Sequence, residues 1–323
     1  MRKLLDVQKI EATYNELKEL LGWSIDKRII LSLAGYYAAL DKEIDKKRFK
    51  EISEIIKKRV SMFSPLRSQL QPLFTATLDV SGLEPEEAVD LLLVKVEELK
   101  KNSFKMNNYS YLAALMMSDE KEQWDYEISR AKDLMAAMKV HHRFLTASDD
   151  YPYAMFLGKL EGDTAVRAET MNRYYEELKN HKFYPGNELQ WMSQVLTYTN
   201  LHFDPEAVSR VVVIRDGMKS VKIKVSTPQY PIIGFMAALK LNESELMDIV
   251  ESYRALTSMK LFSWYKESAL PIAFGLSLKS SKNVYETAAI SMATSLEMLI
   301  QAQQAMMISS IAATSIASSS NSN

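Results

Sequence analysis

Apolar residues recur along this chain in two alternating styles. Short stretches almost free of charge, such as YSYLAALMM (109–117), YPYAMFLGKL (151–160) and YPIIGFMAALKL (230–241), follow longer ones such as EEAVDLLLVKVEELKKN (86–102) and AETMNRYYEELKN (168–180). The longer stretches keep their apolar residues at helical spacing on one side and their charges on the other. We read each pair as one helical hairpin, with a charge-poor helix A buried on most sides and a charged helix B buried on one.

Two ladders give the period. Phe63, Phe104, Phe144, Phe183, Ile223 and Phe262 follow the basic ends of the B stretches at intervals of 39 to 41 residues. The A stretches end on a matching series, Leu40, Leu78, Leu115, Leu157, Leu196, Leu239 and Leu278. The pattern predicts an all-α fold of about seven α/α hairpins of ~40 residues. An open superhelix wets a polar concave face, and these A helices have almost no polar side chains to line one, so a compact curved or closed, toroid-like array is expected. Residues 1–300 form one repeat domain in this reading, opened by an amphipathic capping helix with Ile10, Tyr14, Leu17 and Leu21 on one stripe. Residues 301–323 form an Ala/Met and then Ser-rich tail with a disordered end.

Local signals agree with the period. Pro85 and Pro205, each with acids beside it, mark the first turns of B helices, and Asp163, Thr164, Asn242 and Ser244 are N-cap candidates. Arg59, Lys100, Lys139, Lys179 and Lys219 sit where cations complement a helix C-terminus. The one strand-like run, VKIKVS (221–226), falls at a helix end and is expected to be a short extended connection.

Composition narrows the function classes. With 40 basic and 41 acidic residues the formal charge is −1, which gives no global field toward nucleic acid. The basic runs KKRFK (46–50) and IIKKR (55–59) alternate with acids and read as solvated outer-face charge. Cysteine is absent, which removes disulfides and thiolate chemistry and fits a reducing compartment. The N-terminus has no continuous apolar stretch of signal-peptide type, and no membrane span is expected. The expected location is the cytoplasm.

The densest polar cluster is HHRFLTASDDYPYA (141–154). His141, Asp149 and Asp150, with Glu188, are the candidates for acid/base catalysis. His141 and His142 point about 100° apart on a helix, wrong for two ligands of one ion, and Asp149 and Asp150 stand where an N-cap belongs. No metal and no cofactor are expected. The equivalent connections carry Asn107, Asn108 and Tyr109; Tyr151; Asn187 and Trp191; Gln229 and Tyr230; and Trp264, Tyr265 and Glu267. Stacked hairpins would bring these to one rim suited to a small polar ligand. Phosphate loops, zinc-protease, nucleophile-elbow and calcium-loop motifs do not occur. His181 and His202 are isolated and read as surface or capping residues.

The stretch Phe144, Leu145, Thr146, Asp149, Asp150 and Tyr151, with the repeated basic-then-Phe helix endings and the QAQQAMM/Ser-rich close, resembles an uncharacterised bacterial family, domain of unknown function number four thousand and three. The resemblance covers nearly the whole chain and implies a cytoplasmic, all-helical protein of Gram-positive, spore-former-like bacteria with no assigned reaction. Two functions stay open on the residues. The first is a binding or scaffold protein engaging a protein or peptide partner, or a second copy of itself. The other is an α/α-toroid enzyme or small-ligand binder using the rim.

Overall fold

A computed structural model describes residues 2–278. The predicted tail at 301–323 lies outside the described residues. Among them the chain forms fourteen α-helices and no strand. In order these are α1 Arg2–Leu21, α2 Lys27–Ala39, α3 Lys46–Arg59, α4 Gln71–Asp79, α5 Pro85–Lys101, α6 Asn108–Met116, α7 Trp124–His141, α8 Tyr151–Gly158, α9 Thr164–Asn180, α10 Asn187–Leu196, α11 Pro205–Ser220, α12 Tyr230–Ala238, α13 Glu243–Ser258 and α14 Ala269–Leu278. The fold is all-α, as the spacing predicts. Two compact units divide it, one holding the residues up to Pro85 with those from Glu251 on, the other Glu86–Val250.

In the first unit α1 packs on α2 through the predicted stripe of Ile10, Tyr14 and Leu17, all buried. Helix α2 also meets α4 and α14, and α3 lies on α4. In the second unit α6 packs on α8 and α10 on α12, while α7 packs on both α8 and α9. Every residue of α12 is buried, and α8 exposes part of Tyr151 alone. The long helices bury single stripes instead, such as Ala207, Val208, Val211, Ile214 and Met218 of α11. Uncharged all-round helices inside and one-sided charged helices outside are what burial of apolar area demands.

Helix starts follow the predicted chemistry. Asp163 accepts from the N–H groups of Ala165 and Val166, and Asn242 and Glu245 form a reciprocal box at the start of α13. Thr164 and Ser244 lie inside the first turns rather than capping them.

The Phe ladder is a ladder of helix ends, and three of its members share one geometry, while Phe262 is buried on a 3-10 turn after α13 instead. Helices α5, α9 and α11 close with Ser103, Lys182 and Lys222 in the left-handed region, φ 67°, 67° and 65°. The next N–H, of Phe104, Phe183 or Ile223, reaches back to Leu99, Leu178 or Met218, and the side chain folds into the core. Phe63 and Phe144 do not follow. Helix α3 ends on extended Val60 and α7 on His142 at φ −130°, so neither chain turns back, and these two rings are 92% and 97% exposed.

The reading of Arg48 as solvated outer-face charge is corrected. Arg48 is half-buried, its Nε donates to the Asp79 carbonyl at the end of α4 at 3.1 Å, and its Nη2 reaches the Leu83 carbonyl. The same device recurs in the second unit. Lys95 donates to the Met117 carbonyl at 3.0 Å after α6, Arg130 to those of Gly158, Leu160 and Gly162 after α8, and Arg210 to that of Ala237 at 3.1 Å in α12. Arg167, fully buried, reaches the carbonyls of Thr197 and Glu161. A cation from each of α3, α5, α7, α9 and α11 thus reaches carbonyls at the end of a short buried helix. Val221–Ser226 runs as a turn and an extended connection with no strand partner, as expected.

Candidate functional site

Most of the candidate residues lie in the second unit, around the starts of α6, α8 and α10. Before α6, Asn107 takes an extended backbone, φ −159°, and its Oδ1 accepts from the N–H groups of Tyr109 and Ser110. This cap leaves its Nδ2 free to turn outward, and it donates to Ser148 Oγ at 2.8 Å. At the first residue of α10, Asn187 Nδ2 donates to Asp149 Oδ2 at 2.7 Å. The two asparagines therefore clamp the Ser148–Asp150 turn from either side. Asn107, Asn108, Tyr109, Ser148, Asp149, Tyr151, Asn187 and Glu188 are all half-buried, so the joined residues keep an exposed edge.

Beneath that edge lies Asp150, which has no solvent exposure. Its Oδ2 accepts from the Ala147 N–H at 3.0 Å, and its Oδ1 from Gln194 Nε2 at 2.7 Å and Gln190 Nε2 at 3.0 Å. The carboxylate thus closes the single 3-10 turn before α8 rather than capping α8 itself, whose start has no side-chain cap bond. Burial, and then the charge of Asp149, push the Asp150 carboxyl up to about 7. Asp149 is raised as well, by burial first. Burial and the charges of Asp149, Asp150 and Glu188 raise the Tyr109 hydroxyl, which puts these three carboxylates within electrostatic reach of one phenol. Three polar atoms nearby are buried without a protein partner, Gln190 Oε1, Gln194 Oε1 and Trp191 Nε1.

The remaining candidates are placed differently. His141 turns to α9, its Nε2 3.4 Å from Glu169 Oε2, and has no bond to either aspartate. Trp191 is buried, with its ring stacked at 6.1 Å on Tyr153. Tyr151 and Tyr230 share one job: each ring meets a helix-end Phe edge-on, Phe104 at 4.8 Å and Phe183 at 5.0 Å. Each hydroxyl also accepts from the next N–H, of Lys105 or Tyr184. Trp264, Tyr265 and Glu267 belong to the other unit. Among the described residues no group of three or more His, Asp or Glu is placed to hold a metal ion.

Sequence reasoning gave no role to Gln190, Gln194 or Ser148. A signal was there. Ser110, Asp150, Gln190 and Gln229 recur at intervals of 40, 40 and 39 residues, and all four are buried. Ser110, Asp150 and Gln229 each accept the N–H three residues earlier, so a polar residue at this step fastens the chain as it enters a buried helix.

These features define an all-helical protein with buried polar residues recurring at the entries to its buried helices. The chain belongs to the family described as "Protein of unknown function (DUF4003)", whose model matches residues 13–305. It is similar to "Uncharacterized protein YeaA" of Bacillus subtilis (strain 168), 25% identical over 314 residues, covering 94% of this chain and 93% of that protein. No solved structure matches. Neither the family nor this relative has an assigned activity, and no helix among the described residues is long and apolar enough to cross a membrane.

Proposed function

We propose that the protein is a binding module built from repeated α/α hairpins, engaging a protein or peptide partner through the rim at the starts of its A helices. Support for the repeat comes from the recurring cation-to-carbonyl bonds and from the 40-residue step of buried polar residues. The observation that carries the binding reading is the clamp: Asn107 on Ser148 and Asn187 on Asp149 hold the entries of three buried helices to one another while each stays half-exposed. Side chains fixed in this way lose little entropy when a partner arrives, and preorganised polar groups of this kind give specificity. The test is co-purification with tagged protein in its host cell. The wild type is expected to retain a protein that the Asn108→Ala/Asp149→Ala/Glu188→Ala variant releases, with both melting within a few degrees of each other. Retention of the same proteins by both sinks the reading.

A second reading, a small polar ligand at the same rim, is favoured by Asp149 and Glu188, half-buried carboxylates whose charges both act on the Tyr109 hydroxyl. In a catalytic version Asp149 and Glu188 are the acid/base groups, since Asp150 has both oxygens engaged and orients the turn. A thermal-shift screen of polyols, sugars and amines, repeated on Asp149→Asn, separates the two readings.

A further inference from the structure

We infer that the recess at the C-terminal ends of α9 and α11 is a binding site for a compact oligophosphate. Its volume is ≈ 610 Å³, and its lining brings together Lys182, Arg215, Lys219, Lys222 and Lys224 with a single acid, Asp216. Ile223 and Val225 complete the lining. Five cations and one carboxylate leave a net of four positive charges in one concavity, on a chain whose formal charge is −1.

Helix-end electrostatics accounts for part of this. A cation in the last turn of each helix offsets the negative end of its dipole, and Lys179 for α9 and Lys219 for α11 already do so. Lys182, Lys222 and Lys224 stand beyond those turns. Lys182 and Lys222 moreover occupy left-handed positions, φ 67° and 65°, where Gly or Asn is the residue of least strain. Nor is the charge neutralised locally. Asp216 is taken by Arg215, whose Nε and Nη2 lie 2.9 and 3.3 Å from its oxygens. The Arg215 Nη1 binds the His181 carbonyl, and the guanidinium carbon sits 4.7 Å from the centre of the Phe183 ring. No carboxylate is within 4.0 Å of Lys182, Lys219, Lys222 or Lys224 among the described residues, and the first, third and fourth of these with Lys219 are all exposed.

The shape and the charge select the ligand class. The volume falls inside the roughly 300–1,000 Å³ of small-molecule sites, whereas a peptide asks for an extended groove. Ammonium groups act as point charges toward phosphate oxygens, and concave low-dielectric walls focus their field. A linear triphosphate carries about as many negative charges as the recess has unpaired lysines, Arg215 and Asp216 being held by each other. The site does not depend on the rim reading, because none of its lining residues belongs to the rim.

The experiment is calorimetric titration of the full chain with inorganic triphosphate and with ATP, using sulfate and a Glu-rich peptide as comparators, at two salt concentrations. Saturable one-to-one binding of triphosphate is expected, weakening with salt. Lys182→Gln and Lys222→Gln should each weaken it about tenfold, as loss of one charge-assisted contact does. Lys182→Arg should restore it, and Lys100→Gln at the end of α5 should leave it unchanged; melting temperatures certify that each variant is folded. Tighter binding of ATP than of triphosphate assigns the site to a nucleotide, and equal or weaker binding assigns it to the inorganic chain. No saturable binding overturns the inference. So does equal loss in Lys100→Gln, or displacement of triphosphate by the peptide at lower concentration, which makes the recess a docking surface for an acidic protein.

Discussion

The side-chain amide of Gln194 in α10 donates to the carboxylate of Asp150, at the entry to α8, at 2.7 Å. This bond ties one hairpin to the next through a group with no water around it, and its strength depends on the charge of Asp150.

Because burial lifts Asp150 to about 7, the folded state holds a proton that the unfolded chain, with an ordinary carboxyl, has released above about pH 4. The stabilising share of this group is therefore complete below about pH 4 and is lost as pH rises through about 7. Urea denaturation at pH 5 and pH 8 should show a drop on the order of 2–4 kcal/mol from this source. Asp150→Asn removes the titration, so its stability should change less between the two pH values. An equal pH dependence in the variant refutes the assignment.

Arg167 is the most buried of the cations that reach across to helix-end carbonyls. Arg167→Met keeps the stem but leaves the Thr197 and Glu161 carbonyls without that donor. A loss of about 2–4 kcal/mol is expected in urea unfolding. Exposed Arg143→Met should stay within about 0.5 kcal/mol of wild type. Comparable losses in the two would remove the cation's special standing.

At Gly158 a Cβ would lie 3.0 Å from the Ala131 backbone nitrogen and 3.3 Å from its Cα, in α7. Backbone cannot rotate away as a side chain can. Gly158→Ala should therefore destabilise by about 1–3 kcal/mol even though alanine favours helix, and hydrogen exchange should quicken in α7 and α8 together. A neutral or stabilising outcome shows that the two helices part at little cost.

Ser103 ends α5 at φ 67° and is exposed. Glycine removes the left-handed strain at the expense of a freer unfolded chain, and the balance should favour Ser103→Gly by about 0.5–1 kcal/mol. Ser103→Val should destabilise and loosen Phe104, seen as a changed aromatic signal. Gain from valine would exclude the turn geometry as the cause.

The sequence by itself determined that the fold is all-helical, where the buried and the half-buried helices fall, and most of the helix starts. Each of these follows from local spacing: apolar residues at helical period, Pro and Asp at first turns, cations at last turns. It also placed Asp149, Asp150, Asn107 and Asn187 at equivalent helix entries. Tertiary structure alone decided what those residues do. That Asp150 is sealed by Gln190 and Gln194, that His141 faces Glu169, and that Arg48, Arg130 and Arg167 turn inward to carbonyls depends on how helices distant in sequence approach each other. A charge on an amphipathic helix has the same local pattern whether it meets water or a neighbour's last turn. The same holds for the helix-end Phe series: Phe104, Phe183 and Ile223 are buried after a left-handed turn that residue type at Ser103, Lys182 or Lys222 does not announce, Phe262 is buried without one, and Phe63 and Phe144 are exposed.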